Sequence, residues 1–151
     1  MSQSFFIQTF TWLVCAVFSS VAWSQVDVSY AWARASVQGQ RATGAFMKIS
    51  SKDGAKIVGI SSAVAGVAEI HEMKMEKDVM KMASIPVLDI PAGKTIELKP
   101  GGYHLMLMDL KNPLNDKTTV AITLTVENLN GVQSRLELQV PVKSMGMRPG
   151  H

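Results

Sequence analysis

From Val26 onward, apolar and polar positions alternate with a period of two, the repeat of a strand with one face buried and one in water. Val26, Val28, Tyr30 and Trp32 alternate with Asp27, Ser29, Ala31 and Ala33, which predicts a first strand and puts Tyr30 and Trp32 in the core. Gly44 to Ser50 reads as a second strand, Lys52-Asp53-Gly54 as a turn, Ile57 to Ser61 as a third strand and Ala63 to Gly66 as a loop. Val67 to Met75 is extended again, and after Glu76-Lys77-Asp78 the chain returns through Val79 to Ser84 as a hairpin. Ile90-Pro91-Ala92-Gly93 turns into Thr95 to Leu98, and Pro100-Gly101-Gly102 introduces the strand Tyr103 to Met108. The clearest hairpin comes last. Val120, Ile122, Leu124 and Val126 keep one phase, Asn130-Gly131 turns the chain, and Leu136, Leu138, Val140 and Val142 keep the same phase on the way back. No stretch of the mature sequence holds a helical period for three turns, and there is no internal repeat or linker. The pattern predicts an all-β domain of eight or nine short strands in a Greek-key sandwich or barrel.

The first 24 residues follow a different rule. They carry no charged side chain, and Phe5 to Ala22 is an apolar run broken only by Gln8, Thr9, Thr11, Ser19 and Ser20. That is the core of a secretory signal peptide, with Ala22-Trp23-Ser24 as the small-residue site and cleavage after Ser24, although the usual Lys or Arg is missing ahead of it. The competing reading is an uncleaved anchor, since roughly 18 residues just span a bilayer, but the Ser and Thr content and the short run favour a signal. The expected product is exported to the periplasm without membrane insertion: a folded domain over residues 25–143, then a flexible tail over 144–151. Cys15 leaves with the signal, and Val14 stands where lipidation of a cysteine needs a small residue. The mature chain then has no disulfide and no thiolate, so its fold rests on the core.

Composition agrees with one globular domain: of 151 residues, 47% are hydrophobic and 18% charged. The net charge of +3 is spread among acidic residues without a basic block, which argues against nucleic acid as a partner.

One stretch is chemically unusual. Six of the ten methionines and two of the three histidines lie between His71 and Met108. A core does not need this, because Leu, Ile or Val fill space with better-defined rotamers. Imidazole suits copper and zinc, whereas thioether sulfur prefers the soft Cu(I), so a mixed His and Met set points to Cu(I). Alternation sends Tyr103, Leu105 and Leu107 to one face and His104, Met106 and Met108 to the other. His104 and Met106 stand about 7 Å apart along the strand, close enough to converge on one ion. His71, Met73 and Met75 repeat the arrangement on the earlier strand. Spacing alone leaves Met80 and Met82 as alternatives across the hairpin and does not choose among the methionines.

His71, ten residues, Met82, twenty-one residues, His104-x-Met106 resembles the copper motif of the PCuAC-type periplasmic copper chaperones, whose fold is cupredoxin-like. The resemblance extends through Trp32-Ala33-Arg34-Ala35, Gly44-Ala45, Val67 to Glu72, Ile90-Pro91-Ala92-Gly93 and Glu97 to His104, covering most of residues 28–143. Asp109 stands where such sequences often have glycine, and Ser51 where asparagine is common. The resemblance implies that His71, Met82, His104 and Met106 bind Cu(I), with Met73, Met75, Met80 and Met108 as neighbours. It also implies delivery of copper to the CuA centre of cytochrome c oxidase subunit II, alongside a Sco-type thiol chaperone. Met145, Met147 and His151 resemble, sparsely, tails that hold a second copper. Without a cysteine the expected mature chain cannot build a blue-copper electron-transfer site. Nor is there a Ser/His/Asp order, a Gly-rich phosphate loop or a paired-carboxylate signature, so the reading is of a carrier and not an enzyme. Sequestration of copper for tolerance is the alternative function.

Overall fold

The structure is a computed structural model that describes residues 26–145. The expected signal peptide and cleavage site, with Cys15, Met147 and His151, lie outside the described residues. Ten strands are present and, among the described residues, no helix: β1 (Val26–Arg34), β2 (Ala42–Ser51), β3 (Ala55–Ser61), β4 (Ala65–Glu76), β5 (Val79–Ile85), β6 (Leu88–Ile90), β7 (Thr95–Leu98), β8 (His104–Leu110), β9 (Thr119–Asn128) and β10 (Gln133–Lys143). Nine match the strands predicted from alternation. The tenth, β6, has three residues, too few to show a period, and pairs with the start of β3.

Hydrogen bonding links the strands in the order β5-β4-β8-β2-β1-β10-β9-β3-β6. The β1–β10 pairing is parallel and joins two otherwise antiparallel halves. β7 lies along the same edge of β2 as β8: Ala42–Ala45 pair with β8 and Met47–Ser50 with β7. One core serves both halves, with Ala45, Met47, Ile49, Leu105 and Leu107 from the first and Ile57, Ile122, Leu124, Val126 and Val140 from the second. A buried Leu or Ile contributes about 1.5–3 kcal/mol relative to exposure. The β9–β10 hairpin follows its predicted phase. Asn128 Oδ1 accepts hydrogen bonds from the amides of Asn130 and Val132 across the turn, and Gly131 takes the φ of +77° that a side chain would resist.

The first strand departs from its reading. Its register on β2 shifts between Ser29 and Trp32, and Tyr30 has a φ of +53°. This bulge swaps the faces midway. Tyr30 is 80% exposed, so it is not a core residue. Ala31, Ala33 and Ala35 turn inward instead, while Trp32 is half-buried on the opposite face, packed on Phe46 at 4.7 Å between ring centroids. Arg34 follows Trp32 onto that face.

Candidate metal centre

β8 lies between β4 and β2, and its alternation separates two environments. Leu105 and Leu107 are completely buried in the core; His104, Met106 and Met108 point to the other side. Antiparallel pairing with β4 sets His71 directly opposite His104 and Glu69 opposite Met106. Pairing of β4 with β5 sets Met73 opposite Met82 and Met75 opposite Met80. Side chains directly opposite in a sheet share a face, so all of these groups lie on the outer side of one four-strand surface. The two-residue turn that fixes the hairpin register is Lys77-Asp78, both at positive φ, the geometry of a tight hairpin turn.

The imidazoles sit 5.8 Å apart, edge to face. His104 Nδ1 lies 3.0 Å from the Gly102 carbonyl. A carbonyl can only accept, so Nδ1 carries the proton and Nε2 keeps its lone pair. The same carbonyl accepts from the Met73 amide at 3.3 Å, which ties the Gly101-Gly102 turn to β4. His71 Nε2 donates to Glu69 Oε2 at 2.9 Å, leaving the lone pair on Nδ1, and that atom is buried with no hydrogen-bond partner. The hydrogen bond from His71, followed by one from Ser84, holds the Glu69 carboxyl below the usual carboxylate range. Each histidine is thus fixed by one nitrogen, with the other left free to act as a ligand. Among the described residues no three His, Cys, Asp or Glu side chains come together as a metal site, and methionine sulfurs stand beside the two imidazoles on this face.

A cleft of about 320 Å³ opens on the same face, with Met73, Met82, His104 and Met106 on one side and Arg34 and Phe46 on the other. Gly44 opposes Met106 and leaves room for the Phe46 ring, which comes within 2.9 Å of where a Cβ would stand. Of the four residues singled out from the sequence, His104, Met106 and Met82 share this cleft, and His71 adjoins it through His104. Met75 and Met80 are exposed on the hairpin and Met108 lies further along β8; none of these three lines the cleft. Met145 is exposed beyond β10. Sequence reasoning missed Glu69, although its position two residues before His71 on an alternating strand was the available signal. It also missed the cleft role of Arg34 and Phe46, which the β1 bulge conceals.

Comparison with known proteins places this geometry. The family model described as "Putative lipoprotein LpqE-like" matches residues 26–142. A curated relative in Leifsonia xyli subsp. xyli, "Putative lipoprotein Lxx21020", is 34% identical over 119 residues, 78% of this chain and 69% of that protein. Among solved structures, the copper-bound PCuAC domain from PmoF2 superposes with a TM-score of 0.65 at 17% identity, covering 80% of this chain and 93% of that one, which shows a shared fold. The solution structure of apo-DR1885 from Deinococcus radiodurans gives a TM-score of 0.60 at 28% identity, covering 95% and 97%. That of CuI-DR1885 gives 0.56 at 32% identity, covering 78% and 79%. The resemblance to PCuAC proteins read from the motif is therefore matched by the fold, and membership of a family described as lipoproteins fits an exported protein. From Val26 to Val142 this chain belongs to the LpqE-like family and folds as a PCuAC domain.

Proposed function

We propose that this protein is a periplasmic carrier that binds one Cu(I) through His71, Met82, His104 and Met106 and passes it to the CuA centre of cytochrome c oxidase subunit II. One observation carries the reading: His71 and His104 are direct cross-strand neighbours, each with a free ring nitrogen, on the face that also presents the sulfurs of Met82 and Met106. The likeness to CuI-DR1885, at 32% identity, supports copper as the cargo. Two imidazoles and two thioethers are all neutral ligands, a set that favours Cu(I) and holds Zn(II) poorly.

The same chemistry suits release. Met82 is 52% exposed and sits on the edge strand β5, so an incoming thiolate or imidazole can displace its thioether first. His104, buried and tied to Gly102, is the anchor that leaves last. A Sco-type thiol chaperone fits beside it as the source of reducing equivalents or as an intermediate acceptor.

The test is transfer itself. Cu(I)-loaded protein mixed with apo, reduced CuA fragment, followed by one oxidising equivalent for each two copper ions delivered, should give the purple mixed-valence CuA absorbance, with transfer at a second-order rate that survives a moderate Cu(I) chelator. Loss of transfer in the chelator, or equally fast uptake by a non-cognate thiol protein of similar affinity, would instead favour sequestration.

A further inference from the structure

Three ion pairs on or beside the candidate metal face, Asp109 with Arg41, Glu72 with Lys74 and Glu76 with Lys81, and the hydrogen bond from His71 to Glu69 use its nearby carboxylates. Arg34 is in none of them. Its Nε is buried and, among the described residues, has no hydrogen-bond partner, while its guanidinium carbon lies 5.6 Å from the Phe46 ring centroid. Contact with an aromatic face replaces only part of what a buried N–H loses without a hydrogen bond, and a planar acceptor meeting the guanidinium donors would supply the rest. The cleft beside it is lined by only two titratable groups, Arg34 and His104, and by no carboxylate. A cation in a recess of about 320 Å³ lined otherwise mainly by apolar and thioether side chains sets the sign and the size of what fits there.

We propose that this cleft is a binding subsite for a small carboxylate anion, held by the Arg34 guanidinium on the wall facing Met82, His104 and Met106. The planar fork of arginine matches a carboxylate in two parallel hydrogen bonds. A phosphate dianion needs more donors than the cleft supplies, since beyond Arg34 its polar side chains are Gln40, Thr43 and His104. The Thr43 hydroxyl is already committed to the Arg34 carbonyl at 2.8 Å, and His104 Nδ1 to Gly102. The subsite lies beside the metal ligands assigned above, and to that extent the inference rests on the proposed function. A copper ion held by neutral ligands adds a second positive charge to the cleft, so copper and carboxylate favour each other's binding, and the coupling is reciprocal.

The Arg34 Nε–H resonance of the ¹⁵N-labelled full chain reads the site without any substitution. Titration of the copper-free protein with acetate should move that resonance saturably, while sodium chloride at matched ionic strength should not. Arg34→Gln should weaken acetate binding, followed at the Gln40 side-chain amide, by at least about tenfold. Arg34→Lys, which keeps the charge but loses the fork, should fall between. Loading with one equivalent of Cu(I) should tighten acetate binding about fivefold or more. A resonance that fails to saturate, or that responds equally to chloride, overturns the subsite; acetate affinity unchanged by bound copper overturns its placement beside the metal. If His104 fails to respond to Cu(I) while Arg34 still binds acetate, the copper reading fails and the subsite stands.

Discussion

The two faces of β2, β8 and β4 are built from the same alternating strands and yet hold opposite kinds of side chain. Inward, Ala45, Met47, Ile49, Ile70, Leu105 and Leu107 are almost wholly buried in the apolar core. Outward, His71, Met73, Met106 and Met108 are partly buried, with Met82 more open on β5. The contrast is sharpest between two methionines: Met47 is 1% exposed in the core, whereas Met82 is 52% exposed at the cleft. A flexible thioether inside fills space; outside, beside an imidazole with a free nitrogen, the same group is available as a donor atom. Side-chain chemistry alone does not separate the roles, and the phase of the strand does.

Substitutions that respect or cross that division test it. Leu107→Ala on the inner face should cost about 2–5 kcal/mol of stability through the cavity it leaves, read by denaturant unfolding, without a specific effect on copper. His104→Ala on the outer face should do the reverse. Its loss of Cu(I) affinity in competition titrations should exceed a factor of about 100, because a ligand is removed rather than an outer-shell partner. Glu69→Gln keeps a hydrogen-bond acceptor for His71 but removes the charge, and should weaken Cu(I) by about 10–100-fold with little change in unfolding. Met47→Leu should cost under about 1.5 kcal/mol and leave copper binding unchanged.

Most of the fold was legible because alternation and turn chemistry agree over nine strands. The failure in β1 has a physical origin. Alanine carries little hydrophobic signal, so when the bulge turned Ala31 and Ala33 inward and Tyr30 and Trp32 away from the core, the apolar pattern still looked unbroken. On the candidate metal face, period two correctly grouped His104 with Met106 and His71 with Met73. It could not show that His71 opposes His104, or that Met82 rather than Met80 reaches the cleft, because both depend on register between strands. The choice of four ligands came from the PCuAC resemblance. Glu69, Arg34 and Phe46 acquire their roles only through that cross-strand placement.

The smallest expected effect lies far from the cleft. Asp116 accepts hydrogen bonds from the Ser144 amide at 3.0 Å and the Ser144 hydroxyl at 2.9 Å, tying the end of β10 to the loop before β9. The Ser144 amide and hydroxyl, with a smaller contribution from the Lys117 amide, hold its carboxyl below the ordinary Asp range. A depressed folded pKa stabilises above the unfolded value of about 3.9, and the gain is lost as pH falls through the folded value. The Tm difference between the native chain and Asp116→Asn should therefore be largest near neutral pH and vanish in strong acid.

The central claim is that the outer face, and not the methionine content as such, holds the copper. Methyl NMR of ¹³C-methionine-labelled protein tests it directly, since each sulfur reports through its own methyl group. One equivalent of Cu(I) should shift the methyls of Met82 and Met106 strongly and leave that of Met47 in place, with no further change at the second equivalent for those three. Shifts of equal size at Met47, or no shift at Met82 and Met106, would contradict the account.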